Sequence, residues 1–74
     1  MTTTNALTTA VESSLLASIS YSIHATLDLR FRSGASYRYF AVPQRVFDEL
    51  LVAESKGAYF NRNVRGRFRY QRLA

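Results

Sequence analysis

Residues 15–23 alternate between apolar and polar side chains, and this pattern limits what the chain can fold into. Serines occupy most of the even positions, and Leu16 is the exception. An alternation of period two that includes isoleucine and tyrosine is typical of a strand with one buried face. We therefore predict a strand over residues 15–23. Its core-facing side chains would be Leu15, Ala17, Ile19, Tyr21 and Ile23.

Two more segments show the same alternation. Residues 27–32 alternate leucine and phenylalanine with aspartate and arginine, and residues 36–41 place Tyr37 and Tyr39 on one face. The short loop between them contains Gly34, and glycine accepts the positive φ that such loops need. Because short loops join all three segments, we predict a three-stranded antiparallel meander over residues 15–23, 27–32 and 36–41.

Two helices are predicted after the meander. Residues 43–55 carry an apolar stripe of helical spacing, with Pro43 at the first helical position and Gly57 after the end. A shorter helix is predicted over residues 58–65, because Phe60 and Val64 are four residues apart. Both helices must cover an apolar face of the sheet. The predicted fold class is therefore α+β, in the order β-β-β-α-α, with the helices packed on one face.

The length and composition predict a single domain over residues 14–74. Residues 1–13 are rich in threonine and are interpreted as a flexible leader, with a frayed helical turn near Ala6 to Glu12 as the alternative. The absence of cysteine excludes disulfides and thiolate metal sites. No apolar run approaches the length of about 20 residues that a membrane span needs, and no signal-peptide pattern is present. We expect a cytoplasmic, monomeric protein without a cofactor or a metal.

The charge is concentrated at the C-terminal end of the chain. Residues 1–55 carry four arginines against five acids, whereas residues 56–74 carry six cations and no acid. Such asymmetry in a small domain indicates a polyanion or an acidic protein as partner, and a solvated charged face is the alternative. Nine of the ten cations are arginine, the side chain that forks onto phosphate and stacks on bases.

Two arrangements of the C-terminal arginines are possible. If residues 59–69 form one helix, the arginines and the apolar residues take opposite sides of it. If the chain is extended after Gly66, Arg67 and Arg69 share one face while Phe68 and Tyr70 share the other. In both arrangements the cations are separated from the aromatic side chains. That separation is what a phosphate-binding surface requires.

The sequence offers no group of side chains suited to catalysis. Asp48 and Glu49 are adjacent on a predicted helix, so their carboxylates diverge and cannot flank one bond. His24 is the one histidine and has no second metal ligand at a suitable spacing. A nucleophile, a base and an orienting group do not occur together in a recognisable motif. We therefore expect a protein that is not an enzyme.

The ordered set of residues in SGASYRYFAVPQRVFDELLVAESKGAYFNRNVR resembles the KTSC domain family. The resemblance covers roughly residues 14–70. The family is named for its occurrence at the C-terminus of some bacterial lysyl-tRNA synthetases, and it also includes small stand-alone bacterial proteins. The family has no established biochemical activity, and the synthetase context suggests RNA binding. The aromatic residues that match the family motif are interpreted as structural: Tyr37, Tyr39 and Phe60.

Tyr37 and Tyr39 lie two apart on a strand and project from the same face, so they form either a stacking platform for bases or a cover for the core. The function expected from these patterns is nucleic-acid binding, and RNA is the expected partner. The alternative is a protein-interaction module that docks an acidic partner or peptide at the exposed edge of the sheet. The side chains expected to contact nucleic acid are Lys56, Tyr59, Arg62, Arg65, Arg67, Arg69 and Tyr70.

Overall fold

A computed structural model describes residues 6–74, with side chains from residue 9 onward. One antiparallel sheet has the strand order β1-β2-β3-β4-β5, and two helices connect β4 to β5. The α+β class, the three predicted strands and the two predicted helices are confirmed. The elements are β1 (Ala6–Ala10), β2 (Leu16–Ser22), β3 (Leu27–Phe31), β4 (Ser36–Tyr39), α1 (Gln44–Val52), α2 (Lys56–Asn63) and β5 (Tyr70–Arg72).

The predicted three-stranded meander is too small, because the sheet has five strands. Ala6–Ala10, predicted as part of the leader or of a helical turn, pairs with β2. Tyr70–Arg72 pairs with β4. Both additional strands lie at the edges of the sheet. Neither shows a strong apolar alternation, because an edge strand contributes few side chains to the core. Residues 1–5 of the predicted leader lie outside the described residues.

A β-bulge explains the irregular position of Leu16. The register between β2 and β3 shifts between Leu16 and Ser18. Because a bulge adds one residue to a strand, Leu16 and Ile19 both face the core although they are three residues apart. Ile23, which the alternation placed on the core face, lies beyond the end of β2 and is 75% exposed.

The helix boundaries differ from the predicted ones by one to three residues. Pro43 is the N-cap of α1 rather than its first residue, and α1 ends at Val52. Gly57 does not end α1 but lies inside α2. The Ser55 side chain accepts a hydrogen bond of 3.1 Å from the Ala58 N–H. Because Ser55 is the N-cap, α2 begins at Lys56 and includes Gly57.

Both helices supply side chains to a core on one face of the sheet, as predicted. The register places Ile19 opposite Leu29 and Leu29 opposite Tyr37, so these residues share a face. Leu50 of α1 and Phe60 of α2 are buried in the same cluster. The buried core consists of Leu16, Ile19, Leu27, Leu29, Tyr39, Val42, Val46, Phe47, Leu50, Phe60 and Val64.

The other face of the sheet is polar. The Arg38 Nε and Nη2 atoms each donate a hydrogen bond of 2.9 Å to the Asp28 carboxylate, which lies opposite on β3. This hydrogen bonding, followed by the attraction between the two charges, raises the pKa of Arg38. The pair therefore ties β3 to β4 on the side away from the helices. Within residues 6–74, neither helix is long and apolar enough to cross a bilayer.

Candidate nucleic-acid interface

A groove with a volume of about 510 Å³ lies among side chains from α2, β4 and β5. Its polar rim includes Asn61 and Arg65, and Gly66 lies beside them. No acidic side chain lines it. We call it the aromatic groove, because five rings form much of its lining: Phe31, Tyr37, Tyr39, Phe60 and Tyr70.

The rings of the aromatic groove are held together by strand pairing. Tyr39 lies opposite Tyr70, and Tyr37 lies opposite Arg72, so all four side chains are on the helix side of the sheet. The Tyr70 ring centroid is 5.6 Å from that of Tyr37 and 5.7 Å from that of Tyr39. These distances are typical of favourable ring pairs. Tyr70 is still 62% exposed, so its ring presents a large surface to solvent.

The two tyrosines of β4 have different environments. Tyr39 is buried, and its ring packs edge-on against Phe60 at 6.0 Å. Tyr37 is half-buried and lines the aromatic groove. Burial, followed by the nearby tyrosine hydroxyls of Tyr37 and Tyr70, raises the pKa of Tyr39, while the charge of Arg65 opposes this shift. Tyr39 therefore belongs to the core, whereas Tyr37 has the access that a stacking surface needs.

The chain turns after α2 and becomes extended in β5. Gly66 has a φ of +74°, a left-handed conformation that glycine adopts at little cost. It directs the chain toward β5, so that Phe68 is half-buried against the core while Arg67 and Arg69 are exposed. A single helix over residues 59–69 is therefore wrong, since α2 ends at Asn63.

The C-terminal arginines are not neutralised by the acids of the chain. In residues 6–74 the ion pairs are Arg38 with Asp28 and Arg45 with Glu49, the second at 3.9 Å. Every acidic residue of the chain lies in this range. A set of exposed guanidinium groups therefore remains available to an external anion: Arg62, Arg65, Arg67 and Arg69.

Two side chains, one lining the groove and one beside it, were not selected as binding residues from the sequence. The Arg72 guanidinium carbon lies 5.8 Å from the Tyr37 ring centroid. The Asn61 Oδ1 atom accepts a hydrogen bond of 3.5 Å from Arg65, so Asn61 contacts an arginine of the groove lining. The sequence does contain a signal for Arg72. Tyr70 and Arg72 are two residues apart, so in an extended segment both side chains lie on one face.

Lys56 and Tyr59 lie outside the lining of the aromatic groove. The Lys56 Nζ atom donates a hydrogen bond of 3.1 Å to the Ala53 carbonyl oxygen just after α1. The hydroxyl of half-buried Tyr59 donates one of 2.6 Å to the Glu49 carboxylate. Partial burial, followed by this hydrogen bond and the Glu49 charge, raises the pKa of Tyr59 to about 12. Both side chains join α1 to α2.

Replacing Tyr59 with phenylalanine is expected to lower the unfolding temperature at neutral pH by about 4–8 °C, because it removes one hydrogen bond worth about 1 kcal/mol. Because the pKa of Tyr59 is higher in the folded protein, the hydrogen bond contributes its full stability at pH values below the pKa of the unfolded state, which is about 10. That stability is lost as the pH rises through about 12. Thermal unfolding at pH values of about 8 and about 11 should therefore show a smaller difference between the two proteins at the higher pH. A constant difference contradicts the assigned contact.

The remaining polar residues considered from the sequence lie apart from the groove lining. Asp48 and Glu49 are exposed on α1, and His24 is exposed in the turn between β2 and β3. The His24 backbone N–H donates a hydrogen bond of 3.1 Å to the Ser22 hydroxyl. In the described part of the chain, no three histidine or acidic side chains are grouped as a metal site would require.

The sequence profile of the KTSC domain family matches residues 12–68, which include α1, α2 and the three central strands. The chain belongs to the KTSC domain family. A KTSC domain protein from Yersinia pestis has a crystal structure with a TM-score of 0.89 and 30% sequence identity. The match covers 93% of this chain and 99% of that one. The fold described above is thus the fold of a solved KTSC domain protein.

Curated relatives of this KTSC domain protein are of two sizes. A protein named Lysine–tRNA ligase from Nostoc is 49% identical over 49 residues, which are 66% of this chain but only 9% of that protein. A small protein from Tsukamurella paurometabola is 48% identical over 60 residues, which are 80% of this chain and 90% of that protein. The chain therefore matches a small part of a ligase and nearly the whole of another small protein.

Proposed function

We propose that this KTSC domain protein is a small, non-catalytic module that binds RNA through the arginine-rich surface of its C-terminal segment. The observation that carries the proposal is the separation of charge. Six cations lie in residues 56–74 without an acid, and five of them are exposed and outside the ion pairs of the described residues. Such a surface matches the regular negative charge of a nucleic-acid backbone.

Arginine in place of lysine supports a phosphate ligand. The guanidinium group is planar and presents its donors as a fork that fits two phosphate oxygens. The aromatic groove lies beside Arg65, so phosphate contacts and base contacts are available on the same surface. The relatives named Lysine–tRNA ligase carry tRNA in their name, and this favours RNA over DNA as the partner.

An acidic protein is a weaker candidate than RNA for this surface. Docking of an extended peptide at the third predicted strand needs a free edge, and that strand, β4, is paired with both β3 and β5. In the five-stranded sheet β4 is an interior strand, and the edge strands are β1 and β5. A partner that co-purifies with the protein after nuclease treatment would favour the acidic protein.

The test of the proposed function is a titration of dye-labelled single-stranded RNA at several salt concentrations, followed by fluorescence anisotropy. Contacts to three or four phosphates should give a slope of roughly −2 to −3 in a plot of log affinity against log salt. The slope reports how many counterions are released, and so it is independent of the exact sequence of the RNA. An affinity that does not change with salt, or no binding at all, contradicts the proposal.

A further inference from the structure

The size of the aromatic groove limits what part of an RNA can enter it. Its volume of about 510 Å³ lies within the range of about 300–1,000 Å³ that is usual for sites holding one small molecule. A base inside a duplex has both faces covered by its neighbours and cannot offer one to a protein ring. An unpaired base can leave the stack and present a full face. The groove therefore suits a single unpaired base.

The walls of the groove provide ring surfaces for such a base. Tyr70 is 62% exposed although it contacts the rings of Tyr37 and Tyr39, so its outer surface is open. Phe31 packs edge-on against Tyr37 at 5.7 Å and holds that ring in place. Rings fixed by their neighbours lose little freedom when a base stacks on them. This makes the site suited to stacking.

The charges in and beside the groove fit a nucleotide better than an uncharged ring ligand. Arg65 lines the groove, and the Arg72 guanidinium lies 5.8 Å from the Tyr37 ring centroid. The groove lining contains no carboxylate that would repel a phosphate. Asn61 accepts a hydrogen bond from Arg65 through its side-chain oxygen, which leaves its amide nitrogen for the edge of a base.

We propose that the aromatic groove binds one unpaired nucleobase of single-stranded RNA, with Arg65 and Arg72 at the adjoining phosphates. This inference rests on the proposed function and makes it more specific. It predicts that the protein prefers single strands to duplexes, because a duplex can reach the arginines but cannot place a base in the groove. Asn61 and Tyr70 are then binding residues, whereas Lys56 and Tyr59 are structural.

The test uses the full chain and an RNA of about ten nucleotides, within the usual range of single-strand sites, with 2-aminopurine at one position and a dye at one end. Dye anisotropy measures binding, and the emission of 2-aminopurine falls when that base stacks on a ring. We expect the single strand to bind with loss of emission and the annealed duplex to bind at least about tenfold more weakly. Neither readout requires a variant of the protein.

Two matched pairs of variants locate the base. Tyr70→Ala should weaken single-strand binding by about 5- to 150-fold, the range for losing one stacked base, while Tyr70→Phe keeps the ring and the affinity. Arg65→Ala should weaken binding more than Arg62→Ala, because both remove one positive charge but only Arg65 lines the groove. Thermal unfolding confirms that each variant is folded before its affinity is measured.

The possible outcomes separate the two proposals. Binding without loss of 2-aminopurine emission, with equal affinity for the duplex, overturns the groove inference and leaves the RNA-binding proposal standing. The same holds if folded Tyr70→Ala binds as tightly as Tyr70→Phe. No anisotropy change with any RNA overturns both proposals.

Discussion

Replacing four arginines with alanine is expected to weaken single-stranded RNA binding by roughly 100- to 600-fold at about 0.1 M salt. The four are Arg62, Arg65, Arg67 and Arg69, which are exposed and outside the ion pairs of the described residues. Each phosphate contact on a single strand contributes about 0.7 to the salt slope, which corresponds to about fivefold in affinity at that salt concentration. Three or four lost contacts give the stated range. The salt slope should also fall to roughly −0.7 or less in magnitude, the value for one remaining phosphate contact at Arg72.

A control for the loss of net charge is needed, because removing any cation weakens attraction to RNA. The double variant Arg30→Ala/Arg45→Ala and the double variant Arg67→Ala/Arg69→Ala each remove two positive charges. Arg30 lies on the sheet face away from the helices, and Arg45 is exposed on α1. We expect the C-terminal pair to lose far more affinity. Equal losses would show that net charge alone attracts RNA, without a defined surface.

The second large effect is on stability. Leu29→Ala is expected to reduce the free energy of unfolding by about 2–5 kcal/mol, because it leaves a cavity at the centre of the core. Leu29 is 1% exposed, and it lies between β2 and β4 in the middle strand of the sheet. A small domain buries only about 60% of its extended surface, so a loss of this size is a large share of its stability. The unfolding temperature should fall by at least about 8 °C in circular dichroism.

Val52→Ala is the control for Leu29→Ala. Val52 is also an aliphatic side chain in a regular element, but it is 82% exposed at the end of α1. A surface substitution of this kind is expected to change the free energy of unfolding by less than about 0.5 kcal/mol. Similar unfolding temperatures for the two variants would contradict the assignment of the core to the helix side of the sheet.

The central part of the fold could be predicted because its signals are local. Strict alternation in β3 and the apolar stripe of α1 are each visible within one short segment. The edge strands could not be found in the same way. The three residues of β5 are all exposed, so no apolar pattern marks them, and they form a strand only because β4 offers free backbone groups. The bulge at Leu16 likewise depends on pairing with Phe31.

The candidate site likewise has local features, which the sequence predicts, and long-range features, which it does not. The exposure of the arginines follows from their charge, and the sequence was sufficient to select Arg62 and Arg65. The aromatic groove was not predicted, because it requires that Tyr37 and Tyr70 meet across two paired strands. Arg72 and Asn61 become part of the site only through that long-range pairing and the turn at Gly66.

The most direct test of the account is a map of amide chemical shifts as a short single-stranded RNA is added to the isotope-labelled protein. We predict that the changes concentrate at the end of α2, in β5 and the segment before it, and at Tyr37, which are the places where the exposed arginines and the aromatic groove meet. Changes confined to β1 or to the polar face around Asp28 and Arg38, or no changes, would contradict the assignment of RNA binding to the C-terminal surface.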